Sequence, residues 1–311
     1  MQHALITGST DTLSPSSTGE NIEEQHLLHT RKKRSSHWDI LWLFLLTRAL
    51  LVLVTYFGYI LLTQGKYSSA PVGIPTLIAS WNHWDATRYL NIALVGYHKL
   101  PEDLAFFPLF PLLISILGHP FGNGSYFFIG MLLSNCALLG TLFFLYTLAE
   151  ELGGEQTARR TLLYLCIFPT AFFFFTAYNE ALFLFFTLGG FLALRRQRWW
   201  LAGLAGGLSA LTRSTGVFFV IPFLYELWIY RQQIKMRVCL APSRPLWSST
   251  GYLFVKAAPI LLVPLGTLLY CLYNWQITGN PIAFALIAEH KFVDRTSRPH
   301  NQTCHHQSAG Q

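Results

Sequence analysis

The stretch WNHWDATRYL (residues 81–90) gathers Trp81, Asn82, His83, Trp84, Asp85, Arg88 and Tyr89 within a chain that is otherwise mostly apolar. A carboxylate set among aromatic rings can take a proton from a hydroxyl as a general base. Trp and Tyr faces also form platforms for sugar rings. If residues 80–93 are helical, Trp81, Asp85, Arg88 and Ile92 share one face, and Arg88 would hold Asp85 ionised. The same residue types also suit an interfacial aromatic belt with a local ion pair. Residue types alone leave both readings open.

Other segments offer further polar groups. Between Thr161 and His290 the only acids are Glu180, Glu226 and Glu289. An ionisable group within an apolar membrane chain is a functional candidate by default. Tyr178, Asn179 and Glu180 fall at a turn between two apolar runs, and Arg213 lies between two more, in LTRSTG (residues 211–216). Arginine is a good partner for a phosphate oxygen. It also snorkels, as the polar tip of a hairpin would. Glu226 lies near Trp228 and Tyr230 at the end of its run and reads as interfacial. Glu289 and His290 close a short segment after GNP (residues 279–281). Arg48, inside the first apolar run, has no partner that the sequence identifies.

Several chemistries find no support. Phosphate-cradling loops of the Walker and GxGxxG types and the zinc-binding HExxH pattern do not occur. Cysteines at 136, 166, 239, 271 and 304 are odd in number and lack metal-ligand spacing. The expectation is structural thiols, no metal and no cofactor.

These residues need a scaffold, and composition says which kind. The 311-residue chain is 52% hydrophobic and 12% charged, against about 25% charged in soluble domains. Its net charge is +7, but the basic residues form short clusters between apolar runs. That pattern orients membrane helices and does not suggest nucleic acid. Residues 1–36 are polar and end in RKKR, which predicts a disordered cytoplasmic tail. Apolar runs follow at Ile40–Leu62, Leu104–Leu117, Tyr126–Ala149, Leu162–Ala177, Ala181–Leu194, Trp199–Leu211, Thr215–Tyr230 and Leu253–Trp275. Placing RKKR, RRQR (residues 195–198) and the Arg231–Arg244 segment inside puts residues 63–125 outside. Leu104–Leu117 is then too short to cross and reads as re-entrant or interfacial. Asp85, Glu180, Arg213 and Glu289, from four separate segments, all fall on the outer side. The sequon at Asn123 agrees with an outer loop. Small-residue stretches, LGG (188–190) and AGLAGGL (202–208), read as helix-packing faces.

Taken together, WNHWDATRYLNIALVGY, AFFPLFPLL (residues 105–113), LFFLYTLAEELGGEQTARRTLLYLCIFPTAFFFFTAYNEALFL and RRQRWWLAGLAGGLSALTRSTGVFFVIPFLYE resemble the PIG-V family of mannosyltransferases, over residues 40–292. The resemblance implies an all-α, polytopic transmembrane bundle of GT-C glycosyltransferase type with a large first extracytoplasmic loop. It implies inverting transfer of mannose from a polyprenyl-phosphate donor to a glycolipid or glycan acceptor in the lipid bilayer. Asp85 matches the catalytic acidic position. Trp81, Trp84, Arg88, Tyr89, Tyr178, Glu180 and Arg213 become candidate substrate-binding residues, with Arg213 or Arg88 stabilising the leaving phosphate. The resemblance also implies a multi-pass location in the plasma membrane of a prokaryote or the endoplasmic reticulum of a eukaryote, with the site on the extracytoplasmic or lumenal side. Three segments are expected: a tail at 1–36, the membrane domain at 37–292, and an unmatched polar end at 293–311. That end, where family members commonly continue, suggests a C-terminally incomplete domain. Two alternatives stay open, a transporter or flippase of a lipid-linked sugar and an inactive truncated member.

Overall fold

The computed structural model describes residues 16–63, 74–97, 101–240 and 253–287, with side chains described at 37–61, 78–97, 101–234, 236 and 253–287. Among these residues every regular element is helical: the chain is an all-α polytopic membrane protein. The first helix, α1, is Ser16–Thr63, and its span-length apolar part is His37–Leu61. The helix reaches back over residues 16–36 of the segment expected to be a tail. Glu, Gln, Leu, Lys and Arg fill ten of those 21 positions and favour helix, and a preformed helix extends without a new nucleation cost.

The aromatic stretch does not form one helix. Helix α2 (Ile74–Trp81) ends at Trp81, and α3 (Asp85–Val95) begins at Asp85. The break leaves Trp84 at φ 53 and ψ −121, a conformation costly for a bulky residue. After a 3₁₀ turn at Pro101–Ala105 comes α4 (Leu109–Gly118), with ten residues too short to cross a bilayer. Helix α5 (Tyr126–Ile167) is two helices joined at Gly154, whose φ of 78 suits glycine. Residues 150–160, between two of the apolar runs, are thus mostly helical around one sharp break. A 3₁₀ segment at Pro169–Phe174 leads into α6 (Glu180–Arg195). Helix α7 (Trp199–Thr212), a 3₁₀ segment at Ser214–Phe219 and α8 (Val220–Leu240) follow. Residues Leu253–Thr278 form the last span-length stretch, ending in α9 (Leu262–Thr278).

One end of the bundle is rich in charge. There Arg159 pairs with Asp39 at 2.7 Å, and Arg196 with Glu151 at 2.7 Å. From this end α5 returns after Gly154, and α7 rises. Both stop short of the far end. Ser134, two turns into α5, donates to the Tyr178 carbonyl at 2.6 Å, which places that turn about 12 Å below Tyr126 along the helix. The Tyr178–Glu180 and Thr212–Ser214 turns are therefore tips of two short hairpins recessed inside the bundle.

Close backbone contact holds the second hairpin. A methyl group on Gly207 would sit 2.5 Å from the Leu262 carbonyl oxygen, and one on Gly266 would strike the Gly207 carbonyl. The small residues of AGLAGGL thus let α7 and α9 touch through their backbones, as the sequence suggested. Midway along α9, the Tyr270 hydroxyl shares its one proton between the Leu104 and Phe106 carbonyls, at 2.7 and 2.9 Å. That contact ties the α3–α4 segment to the bundle.

Candidate functional site

The two hairpin tips meet through side chains. Where α7 ends, the Thr212 carbonyl lacks a helical partner, and buried Asn179 donates to it at 2.8 Å. The next residue, Arg213, is extended (φ −151, ψ 146) and reaches back to Glu180 at 2.6 Å. Its guanidinium also lies 3.5 Å from Asn179 Oδ1. Glu180 opens α6 and Arg213 closes α7, so each charge sits at the helix end that the backbone dipole favours. The Glu180 Oε2 atom is buried with no hydrogen-bond partner among the described residues.

Helix α3 lies over this junction. Tyr178 donates to the His83 carbonyl at 2.9 Å, which fixes the 82–84 break against the first tip. Asp85, at the helix N-terminus, is exposed and has no ion-pair partner among the described residues. Tyr89 is buried, with edge contacts to Phe106 and Phe110, each at 5.1 Å. Burial raises the Tyr89 hydroxyl well above its ordinary pKa; Glu180 adds to the rise, Arg213 opposes it, and Asp85 and Tyr178 add less. Burial likewise pushes Tyr178 up to about 12, with Asp85 and then Glu180 contributing. Asp85, Tyr89, Tyr178, Glu180 and Arg213 thus share one electrostatic neighbourhood.

Two nominated residues stand elsewhere than expected. Arg88 does not pair with Asp85. It binds Glu102 at 2.8 Å and Asp103 at 3.2 Å, and Asp103 is only 1% exposed. The helix break explains the difference, because the chain returns through the Pro101–Ala105 turn and presents two carboxylates to Arg88. Trp81 does not share the α3 face either. It is buried edge-on against Phe175, with ring centroids 5.0 Å apart. Trp84 is 73% exposed. Glu226 lines an apolar groove with Arg195, away from the tips. Glu289 and His290 lie outside the described residues.

Asn179 and Asp103 are polar groups whose importance the sequence did not reveal. Asn179 carried a signal, as a polar residue at a turn between apolar runs. Asp103 carried none, because its partner is fifteen positions away across an irregular loop. Among the described residues no group of His, Cys, Asp or Glu is arranged to hold a metal. A cavity of about 1040 Å³ opens at the charged end, lined in part by Glu150, Glu151, Arg196 and Arg198, and it contains none of the nominated residues.

The arrangement offers an exposed carboxylate with no ion-pair partner among the described residues, on the same side of buried Tyr178 as the Glu180–Arg213 pair. That suits proton removal from a hydroxyl bound beside it.

Comparison with known proteins gives this geometry a context. The sequence profile of the family described as mannosyltransferase (PIG-V) matches residues 74–237, just over half of the chain. Fission yeast GPI mannosyltransferase 2 is 27% identical over 156 residues, covering 48% of this chain and 32% of that protein. GPI alpha-1,6-mannosyltransferase 2 of Cricetulus griseus is 31% identical over 196 residues, covering 60% of this chain and 39% of the relative. The Mus musculus protein of the same name is 34% identical over 160 residues, or 48% and 32% respectively. The chain thus matches between about a third and two fifths of the length of these relatives. No solved structure matches.

Proposed function

Because the chain belongs to the mannosyltransferase (PIG-V) family, we propose that it transfers mannose from a polyprenyl-phosphate donor to a hydroxyl of a glycolipid or glycan acceptor. The observation that carries this reading is Asp85. It is an exposed carboxylate at a helix N-terminus with no ion-pair partner among the described residues, and it and Glu180 both act on the Tyr178 hydroxyl. In the step proposed, Asp85 accepts the acceptor's proton as the oxygen bonds to the anomeric carbon. The bond from that carbon to the phosphate oxygen breaks, and polyprenyl phosphate leaves with the electron pair. A phosphate leaving group needs no proton, so one carboxylate suffices, unlike the two of most glycosidases.

The paired arginines take other roles here. Arg88 is held by two carboxylates and Arg213 by one, so both chiefly organise the recess. Tyr178, Tyr89 and the exposed Trp84 remain candidates for contact with sugar. The charge-rich end of the bundle suits the cytoplasmic side by the positive-inside rule. The recess would then open to the extracytoplasmic side, where lipid-linked donors replace free nucleotide sugars. The domain assignment, with residues 37–292 as the catalytic membrane domain, belongs to the same proposal.

The test is transfer of labelled mannose from polyprenyl-phosphate mannose by membranes containing the chain, with products identified by mass spectrometry. A new mannoside bond is expected. The recessed short helices also suit a carrier of lipid-linked sugar. Movement of labelled lipid across the membrane with no new glycosidic bond would establish that reading and overturn the transferase.

A further inference from the structure

The region around Phe175 holds polar groups that the hairpin clasp does not use. Arg48, inside the first span, is 7% exposed, and its guanidinium lies 5.8 Å from the centre of the Phe44 ring and 5.9 Å from that of Phe175. None of its three nitrogens has a hydrogen-bond partner among the described residues. The Trp81 ring meets the same Phe175 ring at 5.0 Å, and its indole nitrogen is also buried without a partner. Thr176, the next residue along the chain, is fully buried with an unpartnered hydroxyl. Asn135 bonds the Phe175 carbonyl through its amide nitrogen at 2.8 Å and leaves its own oxygen unpartnered.

Three unspent donor groups from three separate segments therefore surround one turn of chain. A single orphan would be a local defect. A buried guanidinium with no counter-charge is costly, and its aromatic contacts offset only part of that cost. An indole N–H against the same Phe175 ring, and a hydroxyl on the next residue, are the kinds of donor an oxyanion needs. The position is also suitable. Trp81 lies four residues before Asp85, and Thr176 two residues before Tyr178, whose hydroxyl bonds the His83 carbonyl. The other arginines of the recess already have carboxylate partners.

We propose that Arg48, with Trp81 and Thr176, forms the binding site for the phosphate of the polyprenyl-linked donor, and retains that phosphate as the leaving group. This assignment rests on the transferase reading and gives it a residue set that the sequence did not supply. Arg48 belongs to a helix whose apolar face is exposed along much of its length, including Leu45, Leu46, Leu50 and Leu53. A lipid chain could lie along that face while its phosphate turned inward. The unpartnered Asn135 oxygen would accept from a sugar hydroxyl beside the phosphate.

The experiment uses the full chain in phosphatidylcholine nanodiscs, with retained polyprenyl phosphate measured against neutral polyprenol by native mass spectrometry. Wild-type chain is expected to prefer the phosphate. Arg48→Met and Arg48→Gln are expected to lose the preference by about tenfold or more, the scale of a lost charge-assisted bond, while Arg48→Lys keeps part of it. Without lipid phosphate, Arg48→Met should melt no lower than wild type. Absence of a preference in wild type, or its persistence in both neutral variants, overturns the assignment. So does a lower melting point in both, since that reveals a protein partner for Arg48. Equal displacement by phosphatidic acid overturns the polyprenyl source. Mannose transfer is measured in parallel. Unchanged transfer in the Arg48 variants would leave the transferase standing and remove this site. A phosphate preference lost in Arg48→Met, in a chain that transfers no mannose, would leave a lipid-phosphate site and remove the transferase.

Discussion

Two regions of this bundle treat buried charge in opposite ways. At the hairpin tips and the Pro101–Ala105 turn, each arginine meets carboxylates: Arg213 with Glu180, and Arg88 with Glu102 and Asp103. Around Phe175, a few residues along the chain, Arg48 meets two aromatic rings and the Cys166 thiol, with no carboxylate partner among the described residues. The paired arginines join segments that would otherwise end in exposed backbone and loose loops. The unpaired one joins nothing through hydrogen bonds. In an apolar bundle the first arrangement builds a framework, and the second leaves binding capacity for an anion from outside.

Breaking the paired region should cost stability. The largest effect is expected for Arg88→Met, because it strands Asp103, the most deeply buried acid described. Removing one partner of a buried pair costs about 3–5 kcal/mol, readable as a lower thermal midpoint in detergent. Arg213→Met should cost less, about 1–3 kcal/mol, since that pair is partly exposed. The double variant Arg213→Met with Glu180→Gln should recover part of that loss. Failure to recover any would show that the clasp is not the source of the stability. Arg48→Met should leave stability unchanged or slightly raised, because it removes an unpaired charge. That contrast with Arg88→Met is the sharpest form of the comparison.

The smallest effect concerns pH. The Tyr178 hydroxyl is raised from about 10 to about 12 by burial and by neighbouring acids. Between those values the folded chain holds a proton that the unfolded chain has released. Tyr178 therefore adds stability that is fully present below pH 10 and fades as pH rises through about 12. Tyr178→Phe should flatten this part of the pH profile of melting and leave neutral-pH melting little changed, apart from the lost bond to the His83 carbonyl. An unaltered profile would place the titrating group elsewhere.

Much of the architecture was legible in the sequence because it depends on local pattern. Apolar runs marked the helices, small residues in AGLAGGL marked the close α7–α9 contact, and polar residues between runs marked the two tips. Charge placement led to the expectation that Asp85, Glu180 and Arg213 share one side; in the structure Glu180 pairs with Arg213, and both act with Asp85 on the Tyr89 hydroxyl. What stayed hidden depended on the path of the chain between elements. Helical periodicity assigned Arg88 to Asp85, and it had no means of showing that the chain breaks at residues 82–84 and returns with Glu102 and Asp103. Trp81 was assigned to the Asp85 face for the same reason. Arg48 was visible as an anomaly in the first span, but its surroundings come from α2, α5 and the turn at Phe175, which no local pattern connects.

The central claim is that Asp85, exposed at a helix N-terminus, removes the acceptor's proton. The direct measurement is the rate of mannose transfer by Asp85→Asn in membranes, normalised to folded protein. A fall of about 10²–10⁴-fold, the usual contribution of a general base, is predicted, with stability lowered by no more than the ~0.3–1 kcal/mol of a charge at a helix N-terminus, since Asp85 has no ion-pair partner among the described residues. Transfer at the wild-type rate would contradict it.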